Sequence, residues 1–426
     1  MLFYIVQSFL IAISSQSIEP RSFKSSSQGV RMLRGTPLHS RTAPLCEAQN
    51  WRRWSGYVVA SSYELSHDRE YAAIRNSAAL LDLSPLYKYH LAGPDASRLL
   101  DRIVTRDVAK CQVGQVMYTP WCNERGKVID DGTIARLDDG LFRLTSADPN
   151  LRWLHHNAIG LHVTIEDMSD AIATVALQGP LSRAVLQDAA NADLTDLKYF
   201  RLTTAKIGRI PATITRTGYT GDLGYEIWID ATHAVEVWDT LMETGRNYQL
   251  TPAGMLALDL ARIEAGLLLI DVDYTSAHHA LIESRTSTPF ELSLDWTVNL
   301  DKERFNGKQA LLAEKQRGPA WKFVGIAVEW EALEQLYAEH HLPPQLPTTA
   351  WRTSIPLYVN ERWIGYASSG CWSPLLKKYI ALAHVPVRYA QPGTPLTLEV
   401  TVEHQRRQAA ARVAKLPFFE PERKRG

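Results

Sequence analysis

Asp130 and Asp131 follow Val128-Ile129 and precede Gly132-Thr133-Ile134, in a segment that alternates like a strand. Neighbouring side chains on a strand point to opposite faces, so only one carboxylate of the pair can face a given cavity. A carboxylate held there needs a partner or takes a shifted pKa, because burying it unpaired is costly. Such a group can hold or exchange a proton with a substrate amine; a hairpin edge that satisfies both carboxylates would give the same pattern. A second constellation runs from Arg216 to Glu226, RTGYTGDLGYE, a glycine-rich crossing between two extended segments. On the return strand Glu226 and Trp228 share a face opposite Tyr225, Ile227 and Ile229. A carboxylate beside aromatic rings suits a flat heterocycle, accepting from its N–H edge while rings cover its face. An ordinary hairpin with a solvated glutamate reads the same way.

Asp259 and Arg262 stand three apart in a helical segment and are placed to pair, a spacing more often structural than catalytic. His278-His279 is an adjacent histidine pair that could suggest a metal site. Adjacent side chains diverge on any regular element and no second ligand cluster has the spacing to complete a site, so no metal is expected. Cys46, Cys111, Cys122 and Cys371 lie far apart in no ligand-like spacing, which argues against a disulfide scaffold or zinc ribbon and for a reducing compartment.

The elements that carry these residues are legible in part. Apolar spacing predicts a helix over 63–81, with Tyr71, Ile74, Ala78 and Leu81 on one face, then a strand over 86–91 and a helix over 95–102. Segments 115–122 and 127–136 flank the turn Asn123-Glu124-Arg125-Gly126 and read as a hairpin. Segments 212–216 and 225–230 form a second pairing, followed by a helix over 232–244 with Val235, Trp238, Leu241 and Met242 on one face. Strands and single helices alternate without Rossmann-type glycine loops, which favours α+β sheets with helices on one face. Residues 335–353 hold Pro343, Pro344 and Pro347 and read as a linker or insertion. Beyond them, short alternating segments separated by Gly and Pro read as a small all-β sandwich or barrel.

Composition sets the outer bounds. The 426 residues carry 46 Lys+Arg against 46 Asp+Glu, so no general field gathers polyanions and nucleic acid is not an expected partner. With 12 Trp, 17 Tyr and 10 Phe the chain is not a disordered one. The apolar run 1–13 is shorter than the roughly 20 residues a membrane-spanning helix needs. No Lys or Arg precedes Arg21, which argues against an export signal, and 15–45 is rich in Ser and Arg with only Glu19 acidic. Residues 1–50 therefore read as a leader, either a transit peptide, a disordered segment or a stretch upstream of a true start at Met32, with the folded part beginning near Trp51.

Several segments together resemble the glycine-cleavage T-protein (aminomethyltransferase) family: Leu81-Asp82-Leu83-Ser84, Tyr118 with 122–131, Gln178-Gly179-Pro180, 216–226, Arg262-Ile263-Glu264-Ala265-Gly266, 305–311 and 369–374. The resemblance runs in order from about Tyr63 to the end of the chain. It implies an α+β fold of two lobes (51–315) and a C-terminal β-barrel (316–426), three lobes around a central opening that holds tetrahydrofolate. It implies a folate-dependent one-carbon transferase that moves a methyl or methylene group from a small methylated or aminomethyl donor, with Asp131 catalytic and Tyr118, Tyr219 and Glu226 binding the folate. A lipoyl carrier protein is the implied partner in aminomethyl transfer, with no membrane partner. The location implied is cytoplasmic, or the mitochondrial matrix if the leader is a transit peptide.

Two departures bear on the donor. Where glycine-cleavage members carry Arg directly before the helix Asp, this chain has Leu258, and Pro85-Leu86 replaces their His-Met. Both fit the branches that demethylate N-, O- or S-methyl compounds. The rival within the family is a folate-binding iron–sulfur assembly factor without turnover. Its Lys-Gly-Cys motif is not found around Cys111, Cys122 or Cys371.

Overall fold

In the computed structural model of the protein, residues 33–426 are described. The readings that concern the apolar run and most of the Ser/Arg-rich stretch fall on residues 1–32, outside the described residues.

The 115–136 hairpin forms as its turn signals require, from strands Val116–Cys122 and Val128–Asp138. These continue into a five-stranded sheet through Leu141–Ser146, Tyr87–Ala92 and Thr164–Asp167. The helix Ala96–Ile103 buries Leu99, Leu100 and Ile103 against Trp121, Ile134 and Leu144 on one face of this sheet. Its other face is left for the site. Gly132 sits where two strands close: a Cβ there would lie 2.0 Å from the Thr145 carbonyl oxygen.

A six-stranded sheet runs Leu202–Ile207, Ile210–Thr215, Gly224–Asp230, Ile172–Gln178, Ala78–Asp82 and Leu250–Pro252. Helices Ser182–Ala190 and Ala234–Gly245 cover one face, packing Val185, Leu186, Trp238 and Leu241 onto Leu80, Val175, Leu177 and Ile227. Two expectations are corrected here. The first helix spans only Asp68–Asn76, and Ala78 and Leu81 lie in the strand after it. An apolar run buried on both faces satisfies helical and extended spacing alike. In the later helix Val237, not Val235, is the buried valine beside Trp238.

The expected all-β unit is a closed six-stranded barrel, Trp321–Val328, Lys378–Pro386, Arg362–Ser373, Ile355–Val359, Pro395–Val402 and Gln405–Ala414. Closure leaves no edge strand open. Part of the stretch read as a linker is helical, Trp330–Ala338, with Leu333 and Tyr337 buried against the barrel.

The helix Met255–Glu264 joins these units, with every residue from Ala257 to Glu264 buried. At its end the Glu264 carboxylate accepts from Tyr71 Oη (2.5 Å), Arg75 Nη2 (2.6 Å) and Ser373 Oγ (2.5 Å). One buried anion thus ties the helix Asp68–Asn76 and a barrel strand to the central helix. Ordered structure begins upstream of the expected start at Trp51. Leu38 is wholly buried, Thr36 Oγ1 donates to Asp82 (2.6 Å), and Arg41 pairs with Asp239 (2.7 Å). Charged and hydroxyl side chains that look like leader composition are the contacts that dock this segment.

Candidate functional site between two facing sheets

Strand register decides which side chains share the site. Tyr118 pairs with Thr133, Thr133 with Thr145, and Ala135 with Arg143, so Tyr118, Asp131, Thr133, Thr145 and Arg143 project from one face of the five-stranded sheet. On the six-stranded sheet Glu226 is registered with Thr215 and Ala176, and Trp228 with Thr213 and Thr174. That is the face its helices leave uncovered. The two faces meet where the Arg143 guanidinium lies over the Trp228 ring, 3.9 Å from its centroid.

The aspartate pair divides as strand geometry demands. Asp130 is fully buried and accepts from Asn150 Nδ2 (2.9 Å), the Asp148 amide (3.1 Å) and the Asp131 amide (2.8 Å). Burial and the neighbouring Asp131 push its pKa well up. Asp131 points the other way, half-buried, with Tyr118 Oη donating to one carboxylate oxygen (2.9 Å) and Tyr274 Oη to the other. Burial raises the Asp131 pKa, and the two phenol hydrogen bonds work against that rise. Both phenols are held neutral, chiefly by burial and then by the charge of Asp131. The result is a carboxylate with two fixed donors, able to orient an N–H group or to stabilise positive charge growing beside it. Tyr118 also stacks on Trp296, centroids 6.0 Å apart at 26°, and Arg106 covers Trp296 at 5.5 Å.

Glu226 is half-buried and held at one oxygen only. Thr217 Oγ1 donates to Oε2 at 2.7 Å and Thr215 Oγ1 at 3.5 Å, while Oε1 has no hydrogen-bond partner among the described residues. Burial raises its pKa; Thr217 and the Arg143 charge offset part of that. Arg143 is 3% exposed, makes no side-chain hydrogen bond among the described residues, and its Nε is buried without a partner. Burial pulls its pKa down to about 9. Thr174 Oγ1, on the same face and register-paired with Trp228, is also buried without a partner. A free carboxylate oxygen beside an unpaired guanidinium matches a flat heterocycle with a donor edge next to an acceptor, the pattern of a pterin.

The glycine-rich crossing is fastened from below. Gln178 donates to the Thr217 and Tyr225 carbonyls (3.3 and 3.4 Å) and accepts from Thr220 Oγ1 (2.8 Å). A Cβ at Gly218 would lie 2.1 Å from the Gln178 side chain, and at Gly224 2.3 Å, so both glycines make room for it. This holds Tyr219, half-buried, with its hydroxyl donating to the Leu268 carbonyl. Its neighbours in charge include Arg262 and Asp131.

Of the four residues singled out by sequence, Tyr118 and Asp131 are in direct contact and Tyr219 stands within electrostatic reach of both. Glu226 lies on the facing sheet and makes no hydrogen bond to any of the three among the described residues. Tyr274 and Arg143 were not foreseen. Tyr274 follows a loop without periodicity, and Arg143 alternates between Phe142 and Leu144 like any outward-facing strand residue. Asp259 and Arg262 pair as expected (3.1 Å), and Leu258 is buried in the core. His278 packs edge-on to Trp153 (5.3 Å), whereas His279 lies 3.4 Å from both Asp148 and Asp271. The two rings diverge, and His279 with exposed Asp271 and half-buried Asp148 forms a small group of acidic and imidazole ligand atoms.

Comparison with known proteins shows what the chain as a whole is similar to. Residues 37–302 match the family model described as the GCVT N-terminal domain, and 344–420 match the glycine cleavage T-protein C-terminal barrel domain. An aminomethyltransferase of Halothermothrix orenii is 34% identical over 354 residues, 82% of this chain and 90% of that protein. A trimethylamine-oxide aldolase of Ruegeria pomeroyi is 32% identical over 409 residues, 93% of this chain but 48% of that protein. The crystal structure of a glycine cleavage system aminomethyltransferase T from Bartonella henselae superimposes with a TM-score of 0.77 at 27% identity, over 91% of this chain and 98% of that one.

Proposed function

This chain belongs to the glycine-cleavage T-protein family, and from that membership we propose the roles its facing sheets play in tetrahydrofolate-dependent one-carbon transfer. The family uses tetrahydrofolate, and the chain is an aminomethyltransferase-type enzyme. Bound tetrahydrofolate supplies the amine that accepts the one-carbon unit. Glu226 Oε1 accepts from the N–H edge of the pterin, and Arg143 donates to the acceptor beside that edge. Tyr118 and Tyr219 flank the ring. Asp131, fixed by Tyr118 and Tyr274, orients the reacting nitrogen and stabilises the positive charge that develops on it. The observation that carries this reading is the pair of unsatisfied groups, Glu226 Oε1 and Arg143 Nε, on the same cleft as a carboxylate held by two phenols.

The donor is a small methylated or aminomethyl-bearing molecule, free or, for aminomethyl transfer, on a lipoyl carrier protein. Leu258, buried where glycine-cleavage members carry Arg, favours a free methylated donor. The test is a screen of methylated amines, ethers and sulfonium compounds for folate-dependent loss of the methyl group, run beside a lipoyl-carrier assay. Transfer by the wild type that Asp131→Asn abolishes, with folate affinity kept, supports the assignment; an unimpaired Asp131→Asn rate removes Asp131 from the chemistry.

A further inference from the structure

Asp259, on the helix Met255–Glu264, is ringed by more positive charge than it can satisfy. Arg262 Nε donates to one of its oxygens (3.1 Å) and Arg352 Nε to the other (2.6 Å). Arg52 Nη1 comes no closer than 4.0 Å to that second oxygen, too far for a hydrogen bond, and is buried without a partner. Arg262 also pairs with Asp273, and its Nη2 is buried without a partner although the side chain is 1% exposed. Three guanidiniums therefore face two carboxylates, leaving one excess positive charge and two unsatisfied N–H groups. Arg52 makes no side-chain hydrogen bond, and beyond Nε Arg352 makes none, among the described residues. Burial and then the charge of Arg352 pull the Arg52 pKa down. Asp259 offsets part of the repulsion between Arg52 and Arg352, and a second anion would offset the rest.

The cluster also opens to a ligand. The Arg52 and Arg352 side chains are 27% and 30% exposed. It adjoins the folate site through Tyr219 and Arg262, which donate to the successive carbonyls of Leu268 and Leu267. Arg262 further bonds Asp273, next to the Tyr274 that holds Asp131.

We propose that Arg52 and Arg352 form a carboxylate-binding subsite beside the folate site. A planar guanidinium pairs with a carboxylate through two parallel hydrogen bonds, and two forks converging on one region suit a single anion. The inference rests on the folate reading above and extends it. Two carboxylates can reach such a place: that of a methylated amino acid or carboxylic acid acting as donor, or the glutamyl tail of the folate. The first would narrow the donor to anionic methyl compounds.

Titration calorimetry on the full chain distinguishes the sources. Tetrahydrofolate is compared with tetrahydropteroate, which lacks the glutamate, and N,N-dimethylglycine with dimethylamine, each against wild type, Arg52→Gln and Arg352→Gln. If the subsite holds the donor, dimethylglycine binds at least tenfold tighter than dimethylamine and both variants erase the gap. If it holds the folate tail, the variants erase the gap between tetrahydrofolate and tetrahydropteroate instead. Either result supports the subsite; unchanged affinities for every carboxylate ligand in both variants overturn it. Arg52→Gln carries the test if Arg352→Gln unfolds, because the Arg52 side chain makes no hydrogen bond among the described residues. Tetrahydrofolate that binds wild type in a Glu226-dependent way while both gaps persist would defeat the subsite and leave the folate reading standing.

Discussion

Asp131 is governed by two phenols, and that dependence sets its pH behaviour. Burial holds its pKa above the ordinary carboxylate value, so the ionised form, and turnover with it, is lost as pH falls through that raised pKa. Tyr274→Phe or Tyr118→Phe removes a donor that favours the charged form, so the pKa rises further. The acid limb of kcat/KM is expected to move to higher pH in either variant; a limb that stays put would show that another group titrates there. Glu226→Gln keeps the shape but turns an anionic acceptor into a neutral one, costing roughly 1.5–3 kcal/mol, or about 10- to 100-fold in tetrahydrofolate affinity by calorimetry. Equal affinities would take Glu226 out of the pterin site. Both carboxylates could be picked out in the sequence, because a doublet on a strand must split between faces and a glutamate beside Trp228 has a recognisable alternation. Arg143 and Tyr274 could not, since each gains its meaning only from a partner on another element.

At the scale of elements, the glycine-rich crossing owes its shape to Gln178, whose amide spans it through three hydrogen bonds. Gln178→Ala leaves the Thr217 and Tyr225 carbonyls and the Thr220 hydroxyl to find new partners, at about 1–3 kcal/mol for each buried group left unsatisfied. Stability measured by denaturant is expected to fall, and amide exchange across 216–226 to quicken more than elsewhere; uniform exchange would mean the crossing holds itself. Hairpins and barrel strands were readable because turn residues and alternation coincide. Helix limits were less so: Ala78 and Leu81 continue the spacing of the preceding helix but belong to a strand buried on both faces.

Across the whole molecule, the central helix and Glu264 bind the lobes together. Glu264→Ala would leave buried Arg75 with the more distant Asp222, at 3.6 Å, as its carboxylate partner among the described residues, and removing one partner of such a buried pair costs about 3–5 kcal/mol. Its urea midpoint is expected to drop accordingly; a change under 1 kcal/mol by the same measure would place the contact among weak surface pairs. The tail reinforces the joint, with Phe419 covering Arg75 at 4.5 Å and Arg423 paired with Asp222 at 2.7 Å. None of this was visible in the sequence, because residues 75, 222, 264, 373 and 423 meet only after three units have folded. The docking of residues 34–45 was hidden for the same reason: it depends on Asp82, Asp170 and Asp239, which lie far along the chain.

The most direct measurement is a crystal structure of the full chain soaked with tetrahydrofolate. The expected result is a pterin between the two sheets, its N–H edge on Glu226, the Arg143 guanidinium bonded to the acceptor beside that edge, and the reacting nitrogen next to Asp131. A pterin bound elsewhere, with Glu226 and Arg143 unchanged from the unliganded chain, would contradict it.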